Sequence, residues 1–325
     1  MRHGLPLLVL ALSAAAFLAT SRAEEPPGDD APAKAEEGNA RAEALIRDAR
    51  QALREGREDA ALALATRAVE AAPGRPEPYL ARAELHAIAR RHEESLADCD
   101  RALELRPRLA EAYNARGDAR FKLGRFREAV ADYDRFIELV PSAAPGHWKR
   151  GLACYYAGRY ADGRKQFEGY QTVDASDVEN VVWRAICMAR EKGFETARRE
   201  FLDVGRDPRV PMREIYALFQ GTGTPDDILA AAQRGEPPSR ELRTRLFYAH
   251  LYIGLYHEAA GDREAARRHI DTAAKRHVVP HFMGDVALVH SALFAKGTEK
   301  PAPPEPDVPQ KDRSASPAPP ESSRR

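Results

Sequence analysis

The sequence is short of the features that most enzymes announce. It has no phosphate-cradling glycine loop, no nucleophile elbow and no His-Glu-x-x-His run. The GTGT segment at 221–224 is too short and wrongly flanked for a dinucleotide loop. The acid pairs Glu93-Glu94 and Asp226-Asp227 fall at turns and helix starts, where carboxylates favour the helix dipole. No catalytic residue, resident metal or cofactor is therefore expected. A charge surplus is lacking too, since 50 Lys and Arg balance 50 Asp and Glu. That balance argues against nucleic acid as a partner, because phosphate binding wants a positive excess. Cysteine is scarce. Cys99, Cys154 and Cys187 all sit within helical apolar patterns, so small buried thiols are expected rather than a disulfide framework; one pair plus one free thiol is the alternative. Beyond the N-terminus no apolar run is long enough to span a membrane.

The two ends differ from the body. Residues 1–23 read as an export signal: Arg2 and His3, an apolar run from Leu5 to Ala19, then the small-x-small Ser21-Arg22-Ala23. An uncleaved anchor is the competing reading. No Cys follows the run to take a lipid, so the expected location is periplasmic or secreted, with no span in the mature chain. Residues 24–40 are rich in Pro, Gly and acids and read as a flexible linker, and residues 298–325 as a disordered, Pro-rich tail.

Between them lies a repeat. Pro73, Pro107 and Pro141 recur at intervals of 34 residues, each closing an apolar-periodic helix. Counting back places unit starts at Ala42, Pro76, Ala110 and Ala144. Gly117 and Gly151 then fall at position eight, where two helices must approach closely, and Gly56, Gly124 and Gly158 at position fifteen, the interhelical turn. Tyr133 and Phe167 share position twenty-four, where a large group fills the gap. A fifth unit starts at Val178 with its turn glycine displaced by one place, and another at Phe247 carries Gly254, Gly261, Ala266 and Ala273 in register. This period and pattern resemble tetratricopeptide repeats. The expected fold is all-α, a right-handed solenoid of helix-turn-helix repeats. Its parts are an array over 41–210 (about five repeats), an irregular helical insertion over 211–245, and a last unit with a closing helix over 246–297. The closing helix, Gly284 to Ala295, is expected to cap the open end of the array.

Two stretches resemble a narrower family. HWKRGLACYYAGRYADGRKQFE (147–168) and the segment from Leu246 to Leu293 are similar to the new lipoprotein I family of bacterial envelope proteins. The resemblance implies an envelope adaptor that docks peptidoglycan hydrolases and proteases and forms homodimers. The missing lipid-attachment Cys leaves outer-membrane anchoring out of that inference.

In such arrays the first helix of each unit lines the concave face. Positions two, five, nine, twelve and thirteen nominate Arg50 and Arg54, then Glu84, then Asn114, Asp118, Phe121 and Lys122 as binding residues. The fourth unit adds Trp148, Tyr155 and Tyr156, an aromatic patch suited to anchoring a peptide; packing against neighbouring helices is the alternative for these rings. Leu80 and Glu84 are the wrong chemistry for gripping a C-terminal carboxylate, which excludes that ligand class. Six histidines cluster late, from His250 to His290. His277 and His281 have helical metal-ligand spacing, but Pro280 breaks the helix between them. A non-enzymatic scaffold binding proteins or peptides is the expected function. The alternatives are a metal-binding or metal-assisted enzyme at the histidine-rich end, and a fixed structural subunit of an envelope complex.

Overall fold

The computed structural model describes residues 30–297, and all its regular elements are helical. Antiparallel pairs follow one another along the chain: α1 (Asp30–Arg54) with α2 (Glu58–Ala71), α3 (Pro76–Ile88) with α4 (His92–Leu105), and α5 (Ala110–Lys122) with α6 (Phe126–Leu139). After a 3₁₀ turn at Pro141–Ala143 come α7 (Trp148–Tyr156) with α8 (Tyr160–Tyr170), then α9 (Val178–Lys192) with the short α10 (Phe194–Arg199). The insertion forms α11 (Met212–Gln220) and α12 (Pro225–Gln233). The chain ends in the pair α13 (Ser239–Ala259) and α14 (Arg263–Arg276), followed by α15 (Phe282–Ala295).

The small-residue pattern explains why these hairpins close so tightly. A Cβ on Gly117 would stand 2.6 Å from the Tyr133 ring, and one on Gly151 would stand 2.6 Å from the Phe167 ring. Position eight and position twenty-four are therefore the two halves of one contact. Gly254 repeats it against Ile270 at 2.8 Å. The turn glycines Gly56, Gly124, Gly158 and Gly261 have φ between +75° and +90°, backbone that side chains resist. The second unit has Arg90 there instead, at φ 60°.

A second repeated device ties the hairpins together. The arginine at position seven of a unit reaches position twenty-three of its own second helix: Arg82 to Asp98 at 2.7 Å and Arg116 to Asp132 at 2.7 Å. It also reaches back to the preceding unit, Arg116 to Asp100 at 2.7 Å, Arg150 to Asp134 at 2.5 Å and Arg184 to Glu168 at 3.1 Å. A guanidinium holds five donors in a rigid planar fork whose separate edges face the two neighbours at once, whereas an ammonium is a single compact point of charge.

Two boundaries depart from the sequence reading. Residues 30–40, expected as linker, already belong to α1. Their Ala, Glu and Lys content favours helix, and Gly38 lets the turn press onto the Ala71 carbonyl, 2.6 Å from where a Cβ would be. Helix α13 starts at Ser239, so the last unit begins ahead of residue 246. Helix α12 is capped by Thr224, in a reciprocal capping box with Asp227. The export signal at 1–23, residues 24–29 of the linker and the tail at 298–325 lie outside the described residues.

All three cysteines are free and buried. Burial pushes the Cys99 thiol up to about 12 and the Cys154 thiol up to about 11, which removes the reactive thiolate at neutral pH.

Candidate functional site: the inner layer and the cavity beside it

Helices α1, α3, α5, α7 and α9 are the ones expected to form the inner layer, and α1 packs on α3, α3 on α5 and α7 on α9. Their expected binding residues meet two different fates.

Arg50 and Arg54 on α1 and Glu84 on α3 are exposed. Among the described residues none of the three takes part in an ion pair. Farther along, the groups are engaged. Asn114 Oδ1 lies 3.0 Å from His147 Nε2; burial lowers the His147 pKa to about 4, so the ring is neutral and donates here. Asp118 accepts from the Tyr133 hydroxyl at 2.8 Å and pairs with Lys149 at 2.6 Å.

From Phe121 onward the inner layer is covered by the chain itself. Phe121 is fully buried among the rings of Phe126, Tyr156 and Phe282. Lys122 pairs with Asp285 at 3.2 Å, and Trp148 packs edge-on against Phe282 at 5.4 Å. Tyr155 donates to Glu258 at 3.2 Å, and Tyr156 meets His290 Nδ1 at 2.9 Å. Phe121, Tyr155 and Tyr156, expected to face a peptide, are instead the seat of α15 and α13. The closing helix therefore crosses the inner layer of the third and fourth units rather than capping an end. The physical reason is its composition: FMGDVALVHSALFA is apolar on every side, and such a helix needs partners on two faces. One is α14; α5 and α7 supply the other. The sequence reading missed Phe282, Asp285, Glu258 and His290, although the all-round apolar character of α15 was there to be read.

Glu258 is the charged centre of this seam. Its carboxylate lies 3.1 Å from His290 Nε2 and 3.5 Å from Arg190, and although burial opposes it, His290 and Arg190 bring its pKa down to about 2.

The late histidines stack instead of converging on a point. His250 Nδ1 lies 3.0 Å from His269 Nδ1, and the His250 ring stacks on His277 at 5.6 Å. Among the described residues no group of three or more His, Cys, Asp or Glu is arranged to hold a metal. His281 lies apart from them, against Phe247 and Tyr248.

Beside the covered seam, where α7, α9, α13 and α15 meet, is a cavity of about 340 Å³ walled by Trp148, Trp183, Tyr170, Tyr248 and Phe282. Asp177, Glu179 and Asn180 contribute its polar atoms from the start of α9.

A tetratricopeptide-repeat family model matches residues 114–179, the third and fourth units and the start of the fifth. The chain is a tetratricopeptide-repeat protein. Its fold is similar to that of a tetratricopeptide repeat protein from Parabacteroides merdae, at 16% identity over 78% of this chain and 99% of the other, with a TM-score of 0.50. Pseudomonas aeruginosa pilF matches at 15% identity over 81% of this chain and 99% of that one, TM-score 0.44. The first tetratricopeptide domain of Spaghetti (RPAP3), solved with an HSP90 peptide, is 30% identical over 32% of this chain and 82% of that one, TM-score 0.31. Among curated proteins no relative matches. Repeat proteins of this kind generally act as non-enzymatic interaction scaffolds. Among the described residues no helix is long and apolar enough to cross a membrane.

Proposed function

We propose that this tetratricopeptide-repeat protein is a non-enzymatic adaptor of the cell envelope, binding segments of other proteins on the part of its inner layer that α15 leaves uncovered. The observation that supports the site is the contrast along that layer. Charges are engaged from Asn114 onward, whereas Arg50, Arg54 and Glu84 are exposed and outside any ion pair among the described residues. Ile88, 50% exposed on the same layer, adds an apolar contact to this charged surface. Exposed ionic groups of both signs beside apolar side chains suit a polypeptide partner and steer its approach. The resemblance to the new lipoprotein I family supports the envelope setting, with peptidoglycan hydrolases and proteases as partners and the homodimer as an assembly.

Photo-crosslinkers placed at Arg50 and at Glu84 in the full chain test this in cells. Defined adducts are expected at both, and Arg50→Glu with Arg54→Glu should abolish the adduct formed at Glu84. Equal crosslinking from exposed Arg67 on α2, indifferent to that charge reversal, would move the binding surface off the inner layer.

A further inference from the structure

The cavity between the array and the last unit is not part of the exposed surface just described, and its chemistry is specific. Six aromatic rings line it, those of Trp148, Phe167, Tyr170, Trp183, Tyr248 and Phe282, and aromatic faces attract cations electrostatically. Its lining contains two carboxylates, Asp177 and Glu179, and no lysine or arginine. Arg209 lies outside the lining and is shared among three acids, 2.7 Å from Asp177 and 2.6 Å from each of Glu179 and Asp207. One guanidinium against three carboxylates leaves the wall negative. The other nearby cations are spoken for. Lys149 and Lys122 stand over the Phe282 ring, yet they pair with Asp118 and Asp285. His281 is held neutral by burial. Burial likewise raises the pKa of Asp177 and Glu179 against the pull of Arg209, as it does where negative charge is incompletely matched.

Two buried polar atoms of the lining residues have no hydrogen-bond partner among the described residues. They are Asn180 Oδ1, whose amide nitrogen is committed to the Phe167 carbonyl at 2.8 Å, and Trp183 Nε1. Asn180 is 4% exposed and Trp183 2%. Buried polar groups are ordinarily paired, and these two atoms are closed off from the cavity as well as from solvent. An anion would meet two carboxylates. A plain hydrocarbon would leave the net negative charge of the wall unmatched. A cavity of about 340 Å³ is within the range that takes small ligand groups.

We infer that this cavity receives a basic side chain, arginine or lysine, of a partner polypeptide, with the cation between the aromatic faces and the carboxylates of Asp177 and Glu179. The inference rests on the scaffold reading and adds a partner chemistry to it.

The molecule carries its own reporter, because the chain has two tryptophans and both line the cavity. The probe is acetyl-Gly-Arg-Gly-amide titrated into the full-length protein while tryptophan emission is followed. Its citrulline isostere, which keeps the shape and loses the charge, and its aspartate counterpart are the comparisons. A saturable change with the arginine peptide is expected, about tenfold weaker with citrulline and absent with aspartate. Asp177→Asn keeps the α9 cap and removes one charge, so it should weaken the arginine peptide several-fold and leave the citrulline peptide unchanged. If that variant loses helicity, Tyr170→Leu carries the same comparison, lowering affinity for the charged peptide. Equal affinity for arginine and citrulline, or no change in emission, overturns the cavity assignment. If crosslinks at Arg50 and Glu84 persist in that event, the scaffold reading stands and only the cavity assignment falls.

Discussion

At the scale of single residues, the fold depends on what is not there. Gly117 has no side chain because the Tyr133 ring occupies that space, itself fully buried and held by a hydrogen bond of 2.8 Å to Asp118. Gly117→Ala should destabilise the protein by about 1–3 kcal/mol through overpacking. Adding Tyr133→Leu should recover part of that loss, as read by urea unfolding. Histidine gives a second prediction. Burial, reinforced by His269 and His277, lowers the His250 pKa to about 4. A folded-state pKa below the unfolded one costs nothing while both states are neutral. Stability is therefore flat above about pH 6.5 and falls as pH drops from there toward 4, because the unfolded chain takes the proton first. His250→Gln should make that decline shallower between pH 6.5 and 4. His147, also lowered to about 4 by burial, keeps part of the slope in the variant.

At the scale of elements, the arginine ladder couples each hairpin to the one before it. Arg116 contacts Asp132 in its own unit and Asp100 in the preceding one, and Asp132 is almost wholly buried. Arg116→Met removes one partner from a buried carboxylate and should cost about 3 kcal/mol. Pairing it with Asp132→Leu should restore only part of the stability, because Arg120 also pairs with Asp132 at 2.7 Å and loses that partner. Because each repeat touches mainly its neighbours, the single variant should also separate the unfolding of the first units from the rest, visible as a second transition by hydrogen exchange. The spacing of Arg82, Arg116, Arg150 and Arg184 was legible in the sequence at the repeat period. Their double contacts were not, because position twenty-three holds Asp98 and Asp132 in two units but Gln166 and Glu200 in the next two.

At the scale of the whole molecule, α15 converts part of an open groove into a closed core. Phe282 is its anchor, packed on Phe121 at 5.1 Å and on Trp148 at 5.4 Å. Phe282→Ala should cost about 3 kcal/mol and speed hydrogen exchange in α15 and α7 while leaving α1 to α4 unchanged. Asp285 adds a polar latch to Lys122 and to Arg90. Arg90 occupies a turn position that suits glycine, with φ at 60°, and its guanidinium is what reaches α15. Arg90→Gly should accordingly relax the turn yet raise exchange in α15, an opposition that thermal unfolding and hydrogen exchange can separate.

What the sequence by itself determined was everything with a period. Prolines at 34-residue intervals, glycines at two fixed positions and the large residue opposite them dictate helical hairpins stacked in one direction, because each requirement acts within one hairpin or between neighbours. It also nominated Arg50, Arg54 and Glu84, which stay exposed. Tertiary structure alone decided the fate of Phe121, Tyr155 and Tyr156. Their partners, Phe282, Glu258 and His290, lie more than 100 residues away in sequence. Local patterning reports that a residue faces the inner layer. Which other helix also needs that surface is a question of the whole chain's unburied apolar area, and α15, apolar on all sides, took it.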